Sequence, residues 1–103
     1  MRVQLLFFDG CPNAEKALDD IHAALAGEGL HVAVERIRVR NQSHARRLRF
    51  LGSPSIRIDG QDVEPEARSR TDYGFMCRTY SSGGERKSAP SREQIVRAIR
   101  DST

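Results

Sequence analysis

The chain has 103 residues, a net charge of +3 at neutral pH, 38% hydrophobic and 30% charged residues, and no tryptophan. That length supports one hydrophobic core and excludes a second, so residues 1–103 are expected to form a single domain. The longest apolar run, residues 5–8 with Val3 ahead of it, is too short to cross a bilayer, and two cysteines do not make the dense disulfide framework of a secreted mini-protein.

Met1-Arg2 leads directly into this apolar run with no secretory pattern, so the cytoplasm is the expected compartment and no membrane partner is expected. Residues 3–8 read as a buried first strand, closed by Asp9-Gly10. The first helix follows. Ala14, Ala17, Leu18, Ile21 and Leu25 share a stripe, Pro12 suits the first turn, and Gly27 and Gly29 mark the stop.

Residues 31–40 read as the second strand, with Val32 and Val34 on one face and Ile37 and Val39 on the other, which suggests a bulge near Glu35 and Arg36. A short second helix begins after Asn41 or Ser43 and turns Ala45, Leu48 and Leu51 inward before Gly52. Residues 55–59 alternate as a third strand, and Asp59-Gly60 is a hairpin turn toward Val63. Between residues 65 and 89 the pattern is weak. Residues 75–80 suit a short extended segment, and Ser81-Ser82-Gly83-Gly84 reads as a loop. The last helix is well marked, with Pro90, the cap Ser91, Gln94 completing a capping box, and Ile95, Ala98 and Ile99 as its apolar stripe.

Fifteen of the 17 basic residues are arginine, and Arg36, Arg38, Arg40, Arg46, Arg47 and Arg49 fall within fourteen positions. No aromatic residues interleave with them, so a solvated face is expected and nucleic acid is not. His22, His31 and His44 lack zinc-site spacing, Ala14 stands where a Cys-x-x-Cys motif needs its second sulfur, and no cofactor is expected.

Cys11 is the residue that carries chemistry. It lies between a buried strand and a helix start, where unpaired N–H groups and the helix dipole favour a thiolate. Right-handed crossovers place the helices of a β-α-β-α-β-β-α order on the faces of one sheet. That order resembles the thioredoxin-like architecture: α/β, three layers α/β/α, with a mixed four-stranded sheet. In such a layout Ser53-Pro54 opens the third strand beside the tip of the first, so Pro54 faces Cys11. The resemblance implies a cis Pro54 that leaves the backbone of Ser53 free to pair with an extended thiol substrate.

Gly10-Cys11-Pro12-Asn13, Arg49-Phe50-Leu51-Gly52-Ser53-Pro54, Ile56-Arg57-Ile58-Asp59-Gly60, Cys77-Arg78-Thr79-Tyr80 and Pro90-Ser91 together resemble a family of small bacterial thioredoxin-like proteins, some labelled alkylmercury lyase or mercury-resistance-associated. The resemblance implies a Cys-Pro-Asn site. In it Cys11 is the attacking thiolate, Pro12 and Asn13 shape the first turn, and Ser53 and Pro54 face the substrate. The partner sulfur comes from Cys77 or from another molecule, and Cys77 is alternatively a small buried hydrophobe. Joined, Cys11 and Cys77 would form a reversible disulfide or hold a mercuric ion between two thiolates.

The expected substrate is a thiol or disulfide, glutathione among the candidates, and Thr71-Asp72 would hold its peptide part by analogy with glutaredoxins. Alkylmercury lyase activity needs a proton donor, and Asp9 is the only acid close in sequence. The rival from another class is a non-catalytic binding module that uses the basic face.

Overall fold

The computed structural model describes residues 1–103, Ser82 by its backbone alone, and shows a mixed α/β protein with a four-stranded mixed sheet, three α-helices and a small second sheet. The sheet runs β2 (Val34–Arg38), β1 (Val3–Phe7), β3 (Ser55–Ile58), β4 (Gln61–Asp62). β1 pairs parallel with β2 and antiparallel with β3, and β3 pairs antiparallel with β4.

Alternation along β1 decides which helices cover which face. Val3 and Leu5 pack with Ile56 and Ile58 of β3 against α1 (Ala14–Gly27) and α3 (Arg92–Asp101), through Ala17, Ile21, Ile95 and Ile99. Leu6 points the other way and packs with Val39, Phe50 and Ala45 of α2 (Gln42–Arg47). The sheet is thus sandwiched between helices. Each fully buried isoleucine contributes on the order of 2 kcal/mol through area removed from water.

The bulge expected at Glu35 and Arg36 is not there, because β2 pairs one for one with β1 from Val34 opposite Val3 to Arg38 opposite Phe7. Val32 and Val34 join the α1/α3 cluster, while Ile37 and Val39 join the α2 cluster. Even and odd positions of one strand face opposite ways, so a strand packed on both faces needs no slip of register.

The helix ends follow backbone chemistry. In α1 the N–H of Leu30 reaches the Leu25 carbonyl and that of Gly29 reaches Ala26, so Gly29 closes the helix and Gly27 remains helical. α2 has the expected cap, with Asn41 Oδ1 accepting from the His44 N–H at 2.9 Å. It closes by the same pair of bonds, Phe50 to Ala45 and Arg49 to Arg46, which puts Arg49 in the left-handed region at φ 56°. α3 carries the full capping box of Ser91 and Gln94.

The weak stretch of sequence holds real elements. A 3-10 helix spans Pro65–Ser69 and buries Ala67, and β5 (Tyr80–Ser82) pairs antiparallel with β6 (Glu85–Lys87). The expected loop at Ser81-Ser82-Gly83-Gly84 is therefore a hairpin, with only Gly83-Gly84 in the turn. No helix among the described residues is long and apolar enough to cross a membrane.

Candidate thiol site

The site lies at the end of the sheet where β1 finishes and β3 begins. β1 gives way to a turn at Asp9-Gly10, closed by the Cys11 N–H on the Phe8 carbonyl at 3.3 Å. Cys11 is half-buried and unbonded to any other sulfur. Pro12 is exposed and precedes the helix rather than opening its first turn. Asn13 holds the cap position without a side-chain cap bond, and its carbonyl takes the Ala17 N–H at 3.0 Å. The sulfur thus sits two residues ahead of the cap, farther from the helix start than its sequence suggests.

Ser53 is buried and ties the neighbouring segments together. Its hydroxyl oxygen accepts from the Phe8 N–H at 3.3 Å, which joins the start of β3 to the end of β1. Its own N–H donates to the Met76 carbonyl at 2.8 Å, and its carbonyl accepts from the Arg78 N–H at 3.1 Å. This parallel bridge sets Cys77 opposite Ser53. The backbone of Ser53, expected to be open to a substrate, is therefore fully engaged within the chain. Pro54 is buried behind a cis peptide bond, and its carbonyl accepts from the Tyr80 hydroxyl.

Residues 74–78 form a strap over this end of the molecule. The Gly74 N–H donates to the Phe50 carbonyl at 2.9 Å, and the Phe75 N–H donates to Gln42 Oε1 at 2.8 Å. The ring of Phe75 lies against Phe8 with centroids 4.9 Å apart. Cys77 is free and exposed, so it is not the buried small hydrophobe that was its alternative reading. Met76 and Phe75 are exposed beside it.

What anchors the strap is Arg78, only 3% exposed. Its guanidinium donates to Asp62 at 2.6 and 2.8 Å and to Ser55 Oγ at 3.1 Å, approaches Glu64 at 3.5 Å, and lies 4.1 Å over the Tyr80 ring. Burial works against the charge on Arg78, but the bond to Asp62 and the fields of Asp62 and Glu64 outweigh it and hold its pKa above the ordinary value. Burial pushes the Tyr80 phenol far up, so it remains a hydrogen-bond donor to Pro54 at any physiological pH.

The close approach of strap to sheet depends on Gly52. At φ 115° it adopts a conformation that side chains rarely take, and a Cβ there would lie 2.8 Å from Arg78 Cβ and 3.1 Å from the Met76 carbonyl oxygen.

Other sequence candidates are placed elsewhere or are occupied. Asp9 is exposed and pairs with Arg38 at 3.3 Å. Asp72 pairs with Arg70 at 2.7 Å, and Thr71 beside it is exposed. Arg36, Arg38, Arg40, Arg46, Arg47 and Arg49 are all exposed, as a solvated face requires. Among the described residues no group of three or more His, Cys, Asp or Glu side chains is arranged to hold a metal ion.

Sequence reasoning gave no role to Asp62, Glu64, Arg78 or Tyr80, although Arg78 and Tyr80 lie in one of the motifs that carry the resemblance. Their signal is faint: two acids share one strand parity, and an arginine and a tyrosine share another.

Fold and site together define a mixed α/β protein with two free thiols on segments joined through Ser53 and Phe8. Residues 9–99 match the family described as Domain of unknown function (DUF2703), and the chain belongs to that family. No curated protein matches the chain, and no solved structure matches it.

Proposed function

We propose that the protein is a thioredoxin-like thiol–disulfide oxidoreductase in which Cys11 attacks and Cys77 resolves. The observation that carries this reading is the Ser53 bridge, which fixes an exposed, free Cys77 on the segment paired with Ser53 while Ser53 also holds the Phe8 amide two peptide links before Gly10-Cys11. A sheet with β1 parallel to β2 and antiparallel to β3, covered by helices on both faces, supports the thioredoxin-like assignment.

The chemistry balances with two sulfurs. The Cys11 thiolate attacks a substrate disulfide, forms a mixed disulfide and releases one substrate thiolate. Cys77, as thiolate, then attacks the Cys11 sulfur, releases the second substrate thiolate and leaves a Cys11–Cys77 disulfide. The substrate gains two electrons and the protein loses two. An external thiol restores the reduced pair. A compartment that keeps thiols reduced, as the cytoplasm does, suits a site that needs both sulfurs free.

Exposure of Cys77 also favours a second use of the same pair, linear binding of a mercuric ion between two thiolates. The variants Cys11→Ser and Cys77→Ser separate the two sulfurs. Disulfide reduction is expected to vanish in the first and to stop at the mixed disulfide in the second, and mercuric ion binding is expected to weaken in both. The rate of iodoacetamide alkylation against pH in Cys77→Ser reads Cys11 alone. An activated sulfur alkylates faster at neutral pH than a free peptide thiol. Alkylation no faster than that reference removes the case for Cys11 as nucleophile.

A further inference from the structure

We infer that residues 74–78 occupy the place a polypeptide substrate would take beside Cys11, so that the site accepts small disulfides and excludes extended peptide disulfides. The inference rests on the proposed reactivity of Cys11 and adds the substrate class.

A polypeptide reaches a sheet-end thiol most readily by adding a strand to an open edge, because main-chain hydrogen bonds then supply affinity independent of sequence. β1, which leads to Cys11, has no open edge, since β2 flanks it on one side and β3 on the other. The next backbone outward at this end is Ser53. Its N–H and carbonyl are the two groups an incoming strand would use, and both are taken by Met76 and Arg78. Of the two margins of the sheet, the outer side of β2 carries the exposed charges Glu35, Arg36 and Arg38, which discourage strand addition, and the other is β4, only two residues long.

The strap is not a loosely draped loop. Arg78 is locked to Asp62, the Phe75 ring rests on Phe8, and Gly52 allows the strap backbone to lie against the chain just ahead of Ser53. A peptide competing for Ser53 must break two backbone bonds already made, and gains no more than it displaces. A small disulfide needs none of these bonds and meets only a half-buried sulfur.

The test uses the full-length protein carrying Cys77→Ser, a side-chain change that leaves the backbone bridge to Ser53 in place. Formation of the mixed disulfide at Cys11 is followed by intact mass with two reagents, 2-hydroxyethyl disulfide and a ten-residue extended peptide that carries its cysteine as a 2-hydroxyethyl mixed disulfide. Each rate is divided by that of a free peptide thiol. The expected result is a normalised rate at least about tenfold lower for the peptide, the ratio that one lost contact of ordinary strength produces. Gln42→Ala and Phe75→Ala remove the two exposed anchors of the strap without touching the core, and each is expected to raise the peptide rate while leaving the small-reagent rate unchanged.

Equal normalised rates in the parent protein overturn the inference, and so does a peptide rate that neither anchor variant moves. Failure of both reagents to modify Cys11 overturns the nucleophile itself and takes the inference with it, an outcome distinct from the other two.

Discussion

Arg78 is where a single side chain decides most. Replacing it by methionine keeps the volume of the stem but leaves Asp62 buried without its cation, and Glu64 loses its neighbour as well. Removing one partner of a buried pair costs about 3–5 kcal/mol, because the remaining charge cannot recover its hydration. Urea unfolding of Arg78→Met is expected to show a loss of that size. Tyr80→Phe deletes only the hydroxyl that serves the buried Pro54 carbonyl, and a loss of about 1–3 kcal/mol is expected from the unsatisfied acceptor. Gly52→Ala acts on the same contact from the other side. With its Cβ inside contact distance of Arg78 and the Met76 carbonyl, it is expected to destabilise the fold and to speed exchange of the Arg78 and Ser53 amide protons.

These residues also explain what the sequence concealed. Cys11 is legible because it follows an apolar run and a Gly, and Ser53-Pro54 because it follows a closed helix and opens an alternating strand. Arg78 is not legible. An arginine in a stretch without periodicity reads as surface, and its burial depends on carboxylates 16 and 14 positions away that only the fold brings to it. Cys77 was open between two readings for a related reason: Phe75 and Met76 make its surroundings look apolar, yet the strap turns all three toward solvent.

Among elements, the two helices with strong patterns are also those held by ion pairs between them. Asp20 on α1 pairs with Arg92 on α3 at 3.1 Å and with Lys16 at 2.7 Å, while Glu28 pairs with Arg100 at 2.7 Å. Burial tends to raise the Asp20 pKa, but Lys16 and Arg92 bring it below the ordinary aspartate value, and the bond from Arg100 likewise holds Glu28 below that of an ordinary glutamate. Both groups bind protons less readily folded than unfolded. Their stabilising effect is therefore complete above the ordinary carboxylate range and is lost as pH falls through the depressed folded values. Stability measured by urea between about pH 6 and pH 3 is expected to fall, and to fall less in Asp20→Asn.

The helix ends show both the reach and the limit of pattern reading. Gly29 closes α1 as a glycine is expected to, but α2 ends on Arg49, whose left-handed backbone no sequence rule would assign to an arginine. Arg57 compensates by donating to the Leu48 and Arg49 carbonyls at 2.7 and 2.9 Å, which satisfies the helix end from the adjacent strand. Arg49→Gly relieves the strained backbone and is expected to raise stability by about 1 kcal/mol in thermal unfolding. The β5–β6 hairpin was hidden because its residues are mostly polar and exposed, so no alternation marks them.

For the molecule as a whole, the sheet and its helical layers were readable because β1 and β2 supply apolar residues to both faces, which forces helices onto each. The direction of individual pairings came from turn chemistry: Asp59-Gly60, both at positive φ, makes β3 and β4 antiparallel neighbours. The strap was not readable, since it is held by one isolated bridge, scattered single hydrogen bonds, a ring contact and a buried cation rather than by a strand.

The engagement of Ser53 has a consequence for crowding as well as for chemistry. A sheet margin left bare invites identical chains to register against it and grow into intermolecular ladders. Here one margin is only the two residues of β4, the opposite one bristles with like and unlike charges, and the stretch beside Ser53 is already sealed by the chain itself. Light scattering over a concentration series is expected to stay flat for the parent protein and to climb for Gly52→Ala, in which that seal is pried apart.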